Sequence, residues 1–183
     1  NIRVKPFTVA ETVYIPACVT HSDVDDLVYN DFMIGENADV TIVAGCGVHT
    51  DGDEDSQHNG IHRFFIEKGA KVRYLEKHIG IGDGQGKRII NPQTYIELAE
   101  DGYMEMDTVQ IKGVDSTKRV SKAVLKDRAK LVIKEKIMTH GSQYAETCFD
   151  VDLDGENSGA HLVSRSVARD ASNQMFRSKI DGN

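Results

Sequence analysis

Five segments of this chain repeat one short pattern about every 30 residues, and this periodicity constrains the fold more than any other feature. In each segment a turn rich in Gly, Asn, Asp or Lys ends on a small residue, after which apolar and polar side chains alternate. Successive small residues are 32, 32, 27 and 29 positions apart. Apolar side chains follow each one at the second and fourth positions, so they fall on one face of a strand. The small residues are Ala38, Ala70, Gly102, Ala129 and Ser158.

A strand-like run also precedes each turn, so each repeat contains two strands. Because no two-strand unit can bury its own apolar face, neighbouring repeats must stack on one another. The pattern therefore predicts an all-β fold in a single domain over residues 1–183. That fold is either a β-solenoid or an antiparallel meander or sandwich, and repeat length alone does not decide between them. The runs span residues 27–34, 61–66, 94–99, 120–125 and 147–153.

The composition is that of a globular protein of the reducing cytoplasm. No apolar run approaches the roughly 18 residues of a membrane helix, and the first residues contain no apolar signal-peptide segment. Three cysteines, an odd number, argue against a disulfide framework. A net charge of −7 disfavours nucleic acid as a partner. Residues 112–136 nevertheless hold nine Lys or Arg against three acids, which indicates solvated strand faces or a docking surface.

Two Cys-x-x-His pairs suggest a metal site. Cys18 and His21 form the first pair, and Cys46 and His49 form the second, 28 residues later. In a stacked fold this offset approximates one repeat, so the pairs would lie over each other and offer four ligands suited to zinc or iron. The alternative is a buried Cys18 and a loop Cys46 whose flanking glycines serve a turn. We also expect the nearby His49 to lower the pKa of the Cys46 thiol.

Further candidates surround the second pair. His58 and His62 share one face of a strand at period two, with Gly60 between them, and each has either a functional or a structural role. The acidic run 51–55 resembles a calcium loop only in part, because Ser56 and His62 occupy positions that an EF-hand gives to Gly and Glu.

A glycine-dense segment over residues 80–86 suggests phosphate binding at first sight. No helix start follows it, so we predict a loop rather than a phosphate site.

Several stretches resemble the SufB/SufD family, the scaffold proteins of the SUF iron–sulfur cluster assembly system. The resemblance runs in order along nearly the whole chain, and the loop Gly-Cys-Gly-Val-His-Thr-Asp-Gly is similar to short SufB-like proteins of anaerobes and archaea. The segments that carry it are Val13-Tyr-Ile-Pro, the Gly45-Cys46 step, His58 with Ile61-His-Arg-Phe-Phe-Ile-Glu-Lys-Gly-Ala-Lys-Val-Arg-Tyr, Gly155-Glu-Asn-Ser, Ser164-Arg-Ser-Val-Ala and Gln174-Met-Phe-Arg177.

This resemblance implies a right-handed parallel β-helix and therefore favours the solenoid. It also implies a non-enzymatic scaffold that pairs with a SufB/SufD paralogue or with itself, binds a SufC-like ATPase and builds a transient iron–sulfur cluster. Cys46, His49 and His58 are then the expected cluster-related residues. The family's mid-core cysteine is missing near Val114, and its late cysteine and Glu-His-Glu segment would lie beyond residue 183, so the chain resembles a core fragment.

Two other functions remain open at this stage. One is a carbohydrate-active enzyme on a β-solenoid, with Asp51, Asp53 and Asp55 as metal or acid–base groups. The other is a non-catalytic interaction module that uses its sheet edges and its basic stretch.

Overall fold

The chain forms a parallel β-solenoid of about six turns, as shown by a computed structural model that describes residues 1–182. No helix that could span a membrane occurs in those residues. The strands are β1 (Ile2–Val4), β2 (Val9–Val19), β3 (Asp25–Ile34), β4 (Asp39–His49), β5 (Ser56–Ile66), β6 (Lys71–Ile81), β7 (Arg88–Ile90), β8 (Gln93–Leu98), β9 (Tyr103–Lys112), β10 (Ser116–Leu125), β11 (Lys130–Thr139), β12 (Tyr144–Leu153), β13 (Gly159–Ala168) and β14 (Asn173–Gly182).

The strands alternate between two sheets that face each other across the interior. The first sheet runs in the order β1, β3, β5, β7 with β8, β10, β12 and β14, and the second in the order β2, β4, β6, β9, β11 and β13. Neighbours pair in parallel throughout, for example β4 with β6 and β3 with β5. Parallel pairing between successive repeats excludes the antiparallel meander and confirms the predicted solenoid.

The repeated turns join the two sheets at one corner of each coil. The small residue that ends each turn donates its backbone N–H to the carbonyl three residues earlier, at 3.1 Å for both Ala38 and Ala70. The residue just before it has a positive φ, 54° at Asn37 and 66° at Gly69. Ala38, Ala70 and Ala129 are fully buried at this corner. A larger side chain would not fit there, which explains the small residue in the repeat.

Apolar side chains fill the half of the interior next to these turns. Phe32 and Phe64 stack across the β3–β5 pair with ring centroids 4.5 Å apart, and Tyr74 meets Phe64 edge-on at 5.0 Å. All three rings are fully buried. Stacked and edge-to-face aromatic pairs add stability beyond the area they bury, so this cluster anchors the coils that carry the candidate site.

Acidic residues of neighbouring coils neutralise much of the positive charge of the basic stretch over residues 112–136. Each cation reaches a carboxylate 27–29 residues away, across one coil boundary. Exposed pairs of this kind contribute only about 0–1 kcal/mol each, so their main effect is on charge. The pairs are Lys126 with Asp154, Arg128 with Glu100 and Asp101, Lys134 with Glu105, and Lys136 with Asp107.

The glycine-dense segment 80–86 is a loop that lies directly on the loop over residues 50–55. Gly84 and Gly86 donate their backbone N–H groups to the carbonyls of Thr50 and Gly52, both at 3.1 Å. A Cβ on Gly86 would fall 1.9 Å from the carbonyl oxygen of Glu54. The glycines therefore permit close contact between two backbones, and this packing accounts for them without a phosphate ligand.

We expect Gly80→Ala to destabilise the protein by about 1–3 kcal/mol, the usual cost of overpacking. Gly80 is in β6, and a Cβ there would lie 1.9 Å from the carbonyl oxygen of Gly113, a backbone atom that cannot rotate away. Urea denaturation of the purified variant measures the effect.

Gly45→Ala is the matched control on the neighbouring strand β4. No described atom lies within 4 Å of a Cβ at Gly45. Replacing a glycine in such an open position stabilises by about 0.4–1 kcal/mol through the unfolded chain. Equal losses in the two variants would contradict the packing argument.

Candidate functional site

Much of the interior away from the repeated turns is polar. Along β6 the inward positions read Val72, Tyr74, Glu76 and His78, so the aliphatic lining of the core gives way to charge within one strand. Similar changes occur on β5, β9 and β10, whereas β4 stays apolar as far as Val48, and Cys46 also packs in a small buried aliphatic cluster with Val19, Val48, Ile90 and Val114. Buried polar groups are expensive unless they are paired, which makes this region the candidate functional site.

An ion-pair cluster occupies its centre. Arg119 of β10 places Nη1 2.8 Å from Glu76 Oε2 and Nε 3.8 Å from Glu135 Oε1 of β11. Hydroxyls of Thr147 and Ser164 donate to the two oxygens of Glu135, at 2.8 and 2.6 Å. All three charged residues are at most 5% exposed. The cluster joins the two sheets through the interior.

The charges in this cluster stabilise one another. Burial disfavours the ionised Glu76, but the polar neighbours of the carboxyl, Arg119 first among them, outweigh burial and hold its pKa well below the usual value. Burial likewise opposes the guanidinium charge, yet Glu76 and Glu135 together raise the pKa of Arg119. The Glu76–Arg119 pair is therefore ionised at neutral pH.

A chain of hydrogen bonds leads from the first sheet to Glu76. Asn30 Nδ2 lies 3.4 Å from His62 Nε2 and can only donate to it, which leaves the His62 proton on Nδ1. That nitrogen faces the Tyr74 hydroxyl at 2.7 Å, and the hydroxyl donates to Glu76 Oε1 at 2.9 Å. Burial lowers the pKa of His62 and raises that of Tyr74. Both groups therefore remain neutral donors and acceptors around an ionised carboxylate.

Cys46 projects into the same region from β4. Its thiol, a Glu76 carboxylate oxygen and a His78 ring nitrogen all lie within 4.8 Å of one another. Thiolate, carboxylate and imidazole are together the donor types of zinc and iron sites. Among the residues that the structure describes, this triad is the group of His, Cys, Asp and Glu side chains close enough together to share a metal ion.

The expectation that His49 lowers the pKa of Cys46 is wrong. Burial, followed by the charge of Glu76, raises the pKa of the Cys46 thiol to about 12. His49 is three residues further along β4, so at period two its side chain points outward while Cys46 points inward.

The two Cys-x-x-His pairs do not come together. In the β2–β4 ladder Cys46 is level with Ala17, and Cys18 is level with Gly47. The two strands are therefore aligned with an offset of 29 residues, whereas the two cysteines are 28 residues apart. A difference of one residue places a side chain on the opposite face of the sheet. Cys18 is exposed on the outer face, and His21 is exposed beyond the end of β2. The predicted four-ligand site is absent from the structure over residues 1–182.

His58 and His62 both point into the interior, as the period-two argument predicted. They are 2% and 5% exposed. A Cβ on Gly60 would lie 3.3 Å from His58 Nε2 and 3.6 Å from His62 Nε2, so the missing side chain leaves room for both rings. His58 Nδ1 pairs with Asp26 Oδ2 at 2.6 Å, near the outer end of the polar region.

The acidic loop 51–55 supports its neighbours. Ser22 Oγ donates to Asp51 Oδ1 at 3.2 Å, and Asp55 Oδ1 accepts the backbone N–H of Lys87 at 2.7 Å. These carboxylates connect adjacent loops of the solenoid, which is a structural role.

Sequence reasoning missed Glu76, His78, Arg119 and Glu135. A signal was present, because each continues the inward alternation of its strand: Glu76 and His78 follow Val72 and Tyr74, and Glu135 follows Leu131 and Ile133. A charged residue at a core position of a regular strand is rare unless it is paired. The inward alternation along each strand therefore identifies all four residues without any sequence motif.

Comparisons with known proteins point to one family. The family described as "SUF system FeS cluster assembly, SufBD core domain" matches residues 27–182. An iron–sulfur cluster assembly SufBD family protein homologue of Methanothermobacter thermautotrophicus (strain Winter) is 25% identical over 182 residues, covering 94% of this chain and 42% of the relative. A SufBD family protein of the same species (strain Delta H) is also 25% identical, covering 99% of this chain and 43% of the relative.

A third relative, an iron–sulfur cluster assembly SufBD family protein of Archaeoglobus fulgidus, is 23% identical over 156 residues, covering 85% of this chain and 41% of the relative. No solved structure matches the chain. The chain spans less than half the length of these curated relatives. Since the family match takes in most of the solenoid, including every strand from β4 to β14, the chain belongs to the SufBD core family of SUF-system iron–sulfur cluster assembly proteins.

Proposed function

We propose that this chain is the solenoid core of an iron–sulfur assembly scaffold that works with a SufC-like ATPase. The family match over residues 27–182 carries the proposal, because the family is described as acting in iron–sulfur cluster assembly. In this proposal the scaffold pairs with a SufB/SufD paralogue or with a second copy of itself. ATP hydrolysis belongs to the partner, and the chain contributes binding rather than catalysis.

Within the scaffold we assign the cargo-handling role to the polar half of the interior. Cys46 is the buried thiol of that region and is flanked by Glu76 and His78. Thiolate sulfur is the usual ligand of iron in clusters. His58 lies in the same interior beside Asp26, whereas His49 faces away from it. We therefore retain Cys46 and His58 as cluster-related residues and place His49 outside this region.

Anaerobic reconstitution tests the proposal. The protein in its full natural length, purified with its ATPase, is given ferrous iron and sulfide. We expect sulfur-to-iron charge-transfer absorption that falls sharply in Cys46→Ser, because the interior then lacks its soft ligand.

Two matched variants serve as controls for this experiment. His49→Ala and Cys148→Ser alter an outward histidine and a half-buried cysteine of β12 and should keep the absorption. If the complex forms no cluster, the assembly role is wrong. A full yield with Cys46→Ser would remove Cys46 from that role.

A further inference from the structure

The buried charges of the polar interior do not balance. Among the described residues the buried acids and bases, other than histidines, are Glu76, Glu135 and Arg119. Two carboxylates therefore face one guanidinium. Because Arg119 Nη2 can only donate to His78 Nδ1, at 3.4 Å, that ring is neutral, and these groups leave one negative charge in excess. An unbalanced charge in a water-poor region is costly, so this interior favours an additional cation.

The triad of Cys46, Glu76 and His78 offers such a cation three ligands on a rigid support. Cys46 of β4 and His78 of β6 are register partners, so their side chains lie side by side. Glu76 is two residues before His78 on the same face of β6. The mutual spacing of at most 4.8 Å needs to contract to about 3.5 Å around a tetrahedral ion with bonds of about 2.0–2.3 Å.

One nitrogen of the triad lacks a hydrogen-bond partner among the described residues. His78 Nε2 is fully buried, and Glu76 Oε1 lies 3.4 Å from it. Glu76 Oε2, by contrast, is paired with Arg119 Nη1 at 2.8 Å. Native interiors satisfy nearly all buried polar groups, so an unpaired imidazole nitrogen beside Cys46 and Glu76 indicates a missing ligand.

We infer that the triad binds one divalent transition-metal ion of the zinc and ferrous-iron class. The ion replaces the thiol proton of Cys46, which is released. Its two positive charges and that of Arg119 then equal the three negative charges of the thiolate, Glu76 and Glu135. A thiolate ligand selects against the hard ions magnesium and calcium.

The inferred site also has a cost and an open position. Binding at His78 Nε2 places the ring proton on Nδ1, so the long 3.4 Å contact from Arg119 Nη2 to that nitrogen is given up. Three protein ligands leave a fourth position for water or another small donor, as in exchangeable zinc sites. The inference rests on the interior geometry alone and holds whether or not the chain assembles clusters.

Cobalt(II) without sulfide tests the site directly. Because the triad is buried, the protein is refolded anaerobically with Co²⁺ and then desalted. We expect one tightly held ion and thiolate-to-cobalt charge-transfer absorption, which Cys46→Ser abolishes. Cys18→Ser and Cys148→Ser remove thiols outside the triad and should retain the band. Absence of the band, or its survival in Cys46→Ser, overturns the inference.

X-ray absorption of the zinc-loaded wild-type protein gives a second test that does not depend on any variant folding. We expect one sulfur at about 2.3 Å and nitrogen or oxygen ligands at about 2.0–2.1 Å. Zinc without sulfur, or with two or more sulfurs, excludes the triad. Either result leaves the assembly role to its own test, which measures cluster formation with the ATPase.

Discussion

Arg119→Gln lowers the free energy of unfolding by about 3–5 kcal/mol, the usual cost of breaking a buried ion pair. Arg119 is the guanidinium that pairs with Glu76 and Glu135 in the interior. Glutamine keeps most of the side-chain volume but leaves two buried carboxylates without their counter-charge. Urea denaturation at neutral pH, compared with the wild type, measures the loss.

Arg63→Gln is the control for that variant. Arg63 makes two hydrogen bonds to Asp31, at 2.6 and 2.8 Å, but its side chain is 49% exposed. An exposed pair of this kind contributes about 0–1 kcal/mol. Similar losses at Arg119 and Arg63 would show that burial does not amplify the interior pair.

The pH dependence of the Arg119→Gln deficit provides a further check. In the wild type the pKa of Glu76 is lowered, so the stability it contributes is present above its unfolded pKa and is lost as pH falls through the folded value. Without Arg119, burial raises the pKa of Glu76, and the folded variant takes up protons more readily than the unfolded chain. The deficit should therefore shrink as the pH is lowered from 7 towards 5. A deficit that grows on acidification would contradict the assigned charges.

The sequence predicts the coils well because their signal is local. The small residues Ala38, Ala70 and Ala129 mark the buried corner of each turn, and the alternation after each one gives the inward face. Repeat length carried less information, since parallel and antiparallel stacking satisfy the same alternation. The family resemblance made that choice, and the parallel ladders confirm it.

The candidate site was only partly predictable because it depends on register. Cys46, His58 and His62 were found from their own strands, but the Cys18 assignment required the offset between β2 and β4 to within one residue. The repeat length gives this offset only approximately, and an error of one residue moves the side chain to the opposite face of the sheet. Arg119 is 43 residues after Glu76 in the chain. Only the stacking of coils places them in contact.

Phe64→Ala costs about 3–5 kcal/mol, as expected for a large side chain removed from a packed core. Phe64 is fully buried, stacks on Phe32 and meets Tyr74 at its edge. Phe65→Ala is the control, since the adjacent ring lies on the outer face with the Arg63 guanidinium 5.8 Å from its centroid. An exposed cation–π contact is worth about 0.5–1 kcal/mol. A reversed order of the two losses would mean that the inward face of β5 is assigned incorrectly.

The Phe64 variant also tests whether the apolar half of the interior positions the polar half. Tyr74 packs against Phe64 on one side and donates to Glu76 on the other, so a cavity at Phe64 lets the tyrosine ring move. The ionised Glu76 would then lose a fixed donor, and we expect the cobalt spectrum of the triad to broaden or weaken in Phe64→Ala but not in Phe65→Ala. A folded Phe64→Ala protein with an unchanged spectrum would show that Arg119 and the strands alone hold the triad in place.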